Sequence, residues 1–95
     1  MKIYINGKFF SRKDAKVSVF DHGLLYGDGA FEGIRSYKRC VFKLQEHIDR
    51  LYETAHTLMI QIPLTKDQLM AAIVATLKKN NISDGYIRVI VTRGE

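Results

Sequence analysis

The 95-residue sequence predicts a single α+β domain, an antiparallel sheet with two helices packed on one face. Three observations predict this fold class. The chain opens with a hairpin signal, its middle carries two segments with helical apolar spacing, and its last segment alternates in the manner of a strand. Because 46% of the residues are hydrophobic, a chain of this length can bury a core without disulfides.

Residues 2–10 predict a β-hairpin. Ile3 and Ile5 alternate with more polar neighbours, which is the pattern of a half-buried strand. Asn6 and Gly7 follow, and this pair readily adopts the positive φ angles that a type I′ turn requires. The turn is therefore expected between two short strands at the start of the chain.

The next segments predict further extended structure. The two valines of residues 17–20 face one side and predict a second short strand, and a glycine-rich loop over residues 21–29 follows. Residues 30–37 predict a strand with no purely apolar face, so one side is expected to line a site. A turn at residues 38–39 leads to a partner strand at residues 40–42.

Two helices are expected next. The first carries an apolar stripe at spacings of three and four: Leu44, Ile48, Leu51, Ala55 and Leu58. Pro63 prevents its continuation, because the residue before a proline avoids the helical region. Thr65, with Gln68 three residues later, predicts a capping box at the start of the second helix. The stripe of that helix is Leu69, Met70, Ile73, Val74 and Leu77. Residues 86–92 then predict the final strand.

Composition excludes several classes of protein. The single cysteine, Cys40, excludes an internal disulfide framework and a multi-cysteine zinc module, and it is expected to be a small buried side chain. The three histidines lack the spacing of a helical metal site, so no metal is expected. No apolar run approaches the length of a membrane span, and the first residues carry no targeting pattern. The expected compartment is the cytoplasm, without a membrane partner.

The formal net charge of +5 permits an anionic partner. A basic nucleic-acid-binding domain is one alternative, with four aromatic side chains as stacking platforms: Tyr4, Phe9, Phe10 and Phe42. The lysines and arginines are dispersed along the chain, however, whereas a nucleic-acid-binding face needs a contiguous basic stripe. Binding of nucleic acid is therefore not expected.

A glycine loop and an arginine are candidates for chemistry. Gly27 and Gly29 flank Asp28 in a pattern that is superficially that of a dinucleotide-binding loop, but an extended segment follows where that loop needs a helix. The other interpretations are a tight turn and a loop that passes close to a bulky ligand. Arg50 lies at the edge of an apolar stripe, where it is either a solvated flank or an anion ligand facing a pocket.

Two predicted strands each place an aromatic residue and an arginine on one side. Phe31 and Arg35 share a face of the strand at residues 30–37, and Tyr86 and Arg88 share a face of the last strand. These side chains form either a carboxylate-binding wall or an ordinary exposed sheet face.

Four segments resemble the class IV aminotransferases, fold-type IV enzymes that use pyridoxal 5′-phosphate. They are residues 17–35 (VSVFDHGLLYGDGAFEGIR), 46–51 (EHIDRL), 86–88 (YIR) and 91–94 (VTRG). The resemblance runs in order through essentially the whole chain, and several linked motifs are far more specific than one glycine pattern. It is strongest to the branched-chain amino acid aminotransferases, whose relatives include D-amino acid aminotransferase and aminodeoxychorismate lyase.

The resemblance implies roles for individual residues. The arginine that matches Arg50 binds the cofactor phosphate in the family. The residues on the substrate side match Tyr26, Phe31, Arg35, Tyr86 and Arg88. Aromatic rings there suit a branched aliphatic side chain, and arginine and tyrosine serve carboxylates. Arg93 matches an arginine that holds the substrate carboxylate in D-amino acid aminotransferase, so it keeps a D-specific alternative open.

The resemblance also implies that residues 1–95 are the small amino-terminal domain of a two-domain subunit that forms a homo-oligomer. The Schiff-base lysine of the family lies in the second domain, beyond residue 95, so no catalytic residue is expected in this chain and the piece alone is expected to be inactive. The implied reaction of the whole subunit transfers the amino group of L-leucine, L-isoleucine or L-valine to 2-oxoglutarate. D-amino acid transamination and the lyase reaction are the alternatives.

Overall fold

Two antiparallel sheets and two long helices form the structure, a computed structural model that describes residues 1–95. The elements, in chain order, are β1 (Lys2–Ile5), β2 (Lys8–Ser11), α1 (His22–Tyr26), β3 (Gly29–Tyr37), β4 (Cys40–Val41), α2 (Leu44–Thr57), α3 (Lys66–Lys79) and β5 (Gly85–Thr92). β1 pairs with β2, and the second sheet has the order β4-β3-β5. The predicted α+β class is confirmed. No helix combines the length and the apolar character that crossing a membrane requires.

The predicted hairpin is present and forms a sheet of its own. Asn6 and Gly7 have φ angles of 51° and 88°, the left-handed pair of a type I′ turn. The hairpin is attached to the end of α3 by Asn80. The side chain of Asn80 accepts a hydrogen bond from Lys2 N at 2.7 Å and donates one to Lys2 O at 2.9 Å. The two turn residues therefore set the shape of the hairpin, and Asn80 is one of its links to α3.

β3 is the central strand of the second sheet and positions the candidate site. It pairs antiparallel with β5 from Gly29 opposite Thr92 to Ser36 opposite Gly85. The two long helices cover one face of this sheet. The core that they share with it is Ala30, Ile34, Ile48, Leu51, Leu69, Ile73 and Val89. The opposite face carries the exposed side chains of the same strands.

The two predicted helices are confirmed. α2 buries three residues of its predicted stripe: Ile48, Leu51 and Ala55. α3 begins at the predicted capping box, in which Thr65 Oγ1 accepts a hydrogen bond from Gln68 N at 3.1 Å. In return, Gln68 Oε1 accepts one from Thr65 N at 2.9 Å. These two bonds satisfy backbone donors that the first helical turn leaves free.

Residues 17–20 are not a strand, so that prediction is wrong. Alternating valines indicate which side of a strand would face inward, but a strand also needs a partner, and no strand pairs with this segment. Val17, Val19 and Phe20 are exposed. The hydroxyl of Ser18 instead holds a turn by accepting a hydrogen bond from Phe20 N at 3.0 Å.

The glycine-rich loop predicted over residues 21–29 contains the short helix α1. Asp21 caps this helix by accepting a hydrogen bond from Gly23 N at 2.7 Å. Gly27 ends it in the left-handed region with a φ of 67°, a conformation that glycine adopts without steric cost. Five residues carry too little apolar periodicity to reveal a helix, so only the aspartate cap signals it.

Cys40 is exposed, although its small apolar side chain predicts burial, so that expectation is wrong. It lies in β4, a two-residue strand at the edge of the sheet, where no further strand pairs beside it. The apolar character of a cysteine therefore does not decide its burial here.

Candidate functional site

The face of the β3–β5 sheet opposite the helices carries most of the residues singled out in the sequence. We call it the open sheet face and define it by five exposed side chains: Phe31, Arg35, Tyr86, Arg88 and Ile90. The strand register places Arg35 beside Tyr86 and Phe31 beside Ile90. Because side chains alternate along a strand, all five project away from the core. Two strands that are distant in sequence thus assemble one surface.

Each arginine of the open sheet face lies over a ring from the neighbouring strand. Arg35 Cζ is 5.6 Å from the ring centroid of Tyr86, and Arg88 Cζ is 4.8 Å from that of Phe31. A guanidinium over a ring gains from the cation–π attraction, and its N–H groups stay available to an acceptor. Neither arginine forms an ion pair within the chain. The open sheet face can therefore bind a carboxylate and an apolar group side by side.

Gly33 gives the Tyr86 ring its space on this face. A Cβ at position 33 would lie 3.0 Å from Tyr86 Cζ and 3.1 Å from Cε2, and it would collide with the phenol oxygen. The register places Gly33 opposite Arg88, so the Tyr86 ring reaches diagonally across β3. Any side chain at position 33 would displace the ring.

Arg50 lies on α2 and is bound along one edge by Glu32 of β3. Arg50 Nε donates to Glu32 Oε2 at 2.9 Å, and Nη2 donates to Oε1 at 2.7 Å. The Arg50 side chain is nevertheless 66% exposed, whereas Glu32 is 7% exposed. An arginine has five N–H groups, so three remain after these two bonds. Arg50 thus combines an ion pair along one edge with an exposed edge that keeps N–H donors.

His47 completes this cluster. Its Nδ1 lies 2.7 Å from Glu32 Oε1, and because an ionised carboxylate only accepts, Nδ1 carries the hydrogen. The bonds from Arg50 hold the pKa of Glu32 below its usual value, and they outweigh the burial that would raise it. The His47 bond lowers this pKa further. No set of three histidine, cysteine or acidic side chains in the chain is arranged to hold a metal ion.

Arg93 is engaged within the chain. It pairs with the carboxylate of Asp28 through Nε and Nη2. It also donates to two carbonyl oxygens at the end of α2, Leu58 O at 2.8 Å and Met59 O at 3.3 Å, which the helix itself leaves without partners. The hydrogen bond from Arg93 lowers the pKa of Asp28. Arg93 thus ties the glycine loop to α2, and none of these contacts is with the open sheet face.

Tyr26 ends α1 and is exposed. Its ring packs edge-on against His22 of the same helix, with 5.2 Å between centroids. The structure therefore brings together four of the six residues that the resemblance places on the substrate side: Phe31, Arg35, Tyr86 and Arg88. Tyr26 and Arg93 make their contacts elsewhere.

Glu32 and His47 position Arg50, and Asp28 holds Arg93, but the sequence pattern does not single out these three residues. Glu32 has the clearest signal, because it is an acidic residue in a row of β3 that is otherwise small or apolar. His47 and Arg50 are three residues apart on a helix and so share a face. Asp28 gives no signal beyond its place between two glycines.

Relatives with known names match this chain in sequence. The sequence profile of the family "Amino-transferase class IV" matches residues 29–95. A Methanocaldococcus jannaschii protein with the name "Putative branched-chain-amino-acid aminotransferase" is 65% identical over 94 residues, which are 99% of this chain and 33% of that protein. The aminodeoxychorismate lyase of Bacillus subtilis is 44% identical over 87 residues, which are 92% of this chain and 30% of that protein. Several D-alanine aminotransferases match at 38–40% identity.

A solved structure shares the fold. The T.th. branched-chain amino acid aminotransferase, complexed with N-(5′-phosphopyridoxyl)-L-glutamate, has a TM-score of 0.92 and 37% identity, and the match covers 98% of this chain and 33% of that one. The chain thus spans about a third of the length of the proteins that it matches. The family profile covers β3, α2, α3 and β5, which are the elements that build the site. The chain therefore belongs to the class IV aminotransferase family.

Proposed function

We propose that this chain is the small domain of a branched-chain amino acid aminotransferase, a pyridoxal 5′-phosphate enzyme. The whole subunit transfers the amino group of L-leucine, L-isoleucine or L-valine to 2-oxoglutarate. The observation that carries this proposal is the open sheet face, where arginines stacked on aromatic rings offer charged edges beside apolar surface. The 65% identity with the M. jannaschii protein supports the branched-chain assignment.

A transaminase receives two different substrates in turn, and the open sheet face suits both. The rings of Phe31 and Tyr86 offer apolar surface to a branched aliphatic side chain, and Ile90 extends it. The free N–H edges of Arg35 and Arg88 suit the carboxylates of 2-oxoglutarate and of glutamate. We assign recognition of amino acids and 2-oxo acids to these residues.

The cofactor phosphate is assigned to Arg50. Its exposed guanidinium with three remaining N–H groups fits a phosphate, which accepts paired hydrogen bonds from arginine. Pyridoxal 5′-phosphate, when bound, supplies the electron-accepting ring on which amino-group transfer depends. The lysine that carries the cofactor is assigned to the rest of the subunit, because the chain spans a third of the length of its relatives.

We assign this chain to the amino-terminal part of a two-domain subunit that forms a homo-oligomer in the cytoplasm. A run of exposed apolar side chains supports contacts with further protein: Val17, Val19, Phe20, Leu24, Leu25 and Tyr26. Large exposed apolar patches are typical of surfaces that bind other protein. Nucleic acid has no part in this proposal.

D-amino acid transamination is a weaker alternative because of Arg93. That reaction would need Arg93 for the substrate carboxylate, and Arg93 already donates to Asp28 and to the end of α2. The lyase reaction is the other alternative, and the identity that supports it is 44%, against 65% for the branched-chain relative.

A panel of amine donors tests the proposal with the full-length subunit and 2-oxoglutarate. L-leucine, L-isoleucine and L-valine are expected to be used, and D-alanine is not. Lys13→Met, at an exposed position in the turn after β2, serves as an internal control: its activity with L-leucine is expected to stay within about twofold of wild type, as for a substitution outside the site. Faster transfer from D-alanine than from L-leucine would refute the branched-chain assignment, and cleavage of aminodeoxychorismate would support the lyase instead.

A further inference from the structure

Glu32 is the only charged side chain among the buried residues of the chain. It lies in the core row of β3 with Ala30 and Ile34. Burying an ionised carboxylate is unfavourable unless its partners compensate, and a well-packed apolar side chain at such a position is often at least as stabilising. The stability of the fold alone therefore does not account for a glutamate at this position.

We propose that Glu32 is a positioning residue that acts through Arg50 to preorganise the phosphate site, an inference that rests on the proposed function of Arg50. Nε and Nη2 form the side edge of the Arg50 guanidinium, and the two oxygens of Glu32 occupy this edge. The end edge, formed by Nη1 and the second hydrogen of Nη2, keeps two parallel N–H groups. Two oxygens of one phosphate match that edge.

The carboxylate also holds an otherwise flexible side chain in one orientation. Glu32 lies in the central strand β3, opposite Val89 of β5, so regular strand pairing fixes the position of its backbone. His47 holds Oε1 with a separate bond at 2.7 Å. An arginine that is ordered before the anion arrives loses less conformational freedom on binding. The sheet, through Glu32, therefore determines where Arg50 presents its free edge.

Charge alone predicts the opposite effect. A carboxylate next to an anion site lowers the positive potential there, so neutralising it would strengthen phosphate binding if the orientation of Arg50 were unimportant. The direction of the change in affinity therefore distinguishes the two roles. Weaker binding after neutralisation indicates positioning, and stronger binding indicates a simple charge effect.

The test measures the affinity of the full-length subunit for pyridoxal 5′-phosphate and for pyridoxal, which lacks the phosphate. Glu32→Gln is expected to weaken binding of pyridoxal 5′-phosphate by about 10-fold, and Arg50→Gln by about 30-fold, the range for hydrogen bonds to charged groups. Neither change is expected to alter the affinity for pyridoxal. Because Glu32 acts through Arg50, the double variant is expected to lose no more than Arg50→Gln alone.

Two further variants make the comparison sharper. Asp49→Asn removes the same charge from the residue next to Arg50, but that carboxylate pairs with Lys66 at 3.0 Å and not with Arg50. Its affinity for pyridoxal 5′-phosphate is expected to match wild type. Glu32→Asp keeps the charge and withdraws the carboxylate by one methylene, so it is expected to weaken binding as Glu32→Gln does. It also provides the comparison if the glutamine variant fails to fold.

Three results would overturn the positioning role of Glu32: unchanged or tighter binding of pyridoxal 5′-phosphate by both Glu32 variants, losses that add in the double variant, or an equal loss for pyridoxal. These results count against Glu32 only when Arg50→Gln itself weakens the binding of pyridoxal 5′-phosphate and leaves the binding of pyridoxal unchanged. If Arg50→Gln leaves that affinity unchanged, the assignment of the phosphate to Arg50 fails, and the role of Glu32 fails with it.

Discussion

The ring of Tyr86 occupies the space that a side chain at Gly33 would fill on the neighbouring strand. The same ring lies under the guanidinium of Arg35, with Cζ 5.6 Å from the ring centroid. The absence of one carbon atom at position 33 therefore determines where a ring and an arginine of the open sheet face are placed.

Replacing Gly33 with alanine is expected to lower kcat/KM for L-leucine by about 10-fold, because the ring must leave its place. The ring is at the surface and can move, so the free energy of unfolding is expected to fall by only about 1 kcal/mol. Steady-state kinetics and urea unfolding of the full-length subunit measure the two effects. Adding Tyr86→Phe removes the phenol oxygen and is expected to restore part of the activity. Wild-type kinetics for Gly33→Ala would contradict this role of the glycine.

Arg88→Met is expected to change KM for 2-oxoglutarate more than KM for L-leucine. The methionine keeps an apolar stem over Phe31 but removes the charged N–H groups, so KM for 2-oxoglutarate is expected to rise about 10–100-fold. KM for L-leucine, which has one carboxylate instead of two, is expected to change less. Arg39→Met, in the turn after β3, is a matched control expected to leave both values unchanged. An equal rise for both substrates would show that Arg88 does not distinguish them.

The stability of the fold is expected to depend on the ionisation of Glu32 at acidic pH. Its pKa in the folded chain is lower than its usual value of 4.5, so the unfolded chain binds the proton more readily. The stabilisation is therefore fully present above that usual value and is lost as the pH falls through the lowered pKa. Urea unfolding between about pH 7 and pH 3 measures it. The stability difference between wild type and Glu32→Gln should stay constant near neutral pH and change below about pH 4.5; a difference that is the same at every pH would contradict this.

Thr65→Ala is expected to lower the free energy of unfolding by about 1 kcal/mol, the usual cost of losing an N-cap. The hydroxyl of Thr65 binds the backbone of Gln68 at the start of α3, and alanine leaves that donor without a partner. Thr57→Ala is the matched control, because its hydroxyl donates to Glu53 O near the end of α2 and caps no backbone N–H. Equal losses for the two variants would indicate that the cap contributes nothing specific.

Features that depend on a few adjacent residues can be predicted from the sequence. The Asn6-Gly7 turn and the Thr65–Gln68 cap are examples, because each is a property of two to four neighbouring residues. Alternation along a strand also predicts that Phe31 and Arg35 share a face. It does not predict that Arg88 lies over Phe31, because this contact depends on the register between two strands.

The charged contacts of the site are less accessible to sequence reasoning. Glu32 and Arg50 are 18 residues apart, and Asp28 and Arg93 are 65 apart, so these pairs exist only after the strands and α2 have packed together. Residues 17–20 show that a local pattern can also predict an element that the fold does not form. Its alternation is that of a strand, but the fold offers it no neighbour to pair with.

The hairpin belongs to a separate sheet from β3 and β5, and the side chain of Asn80 links it to the end of α3. In hydrogen–deuterium exchange, we expect its amides to exchange through a local opening that leaves β3 and β5 protected. Asn80→Ala is expected to speed exchange in the hairpin alone, and faster exchange in β3 as well would show a single cooperative unit. On this expectation the first strands open ahead of the sheet that carries the site, and Asn80 is one of the contacts that hold them closed.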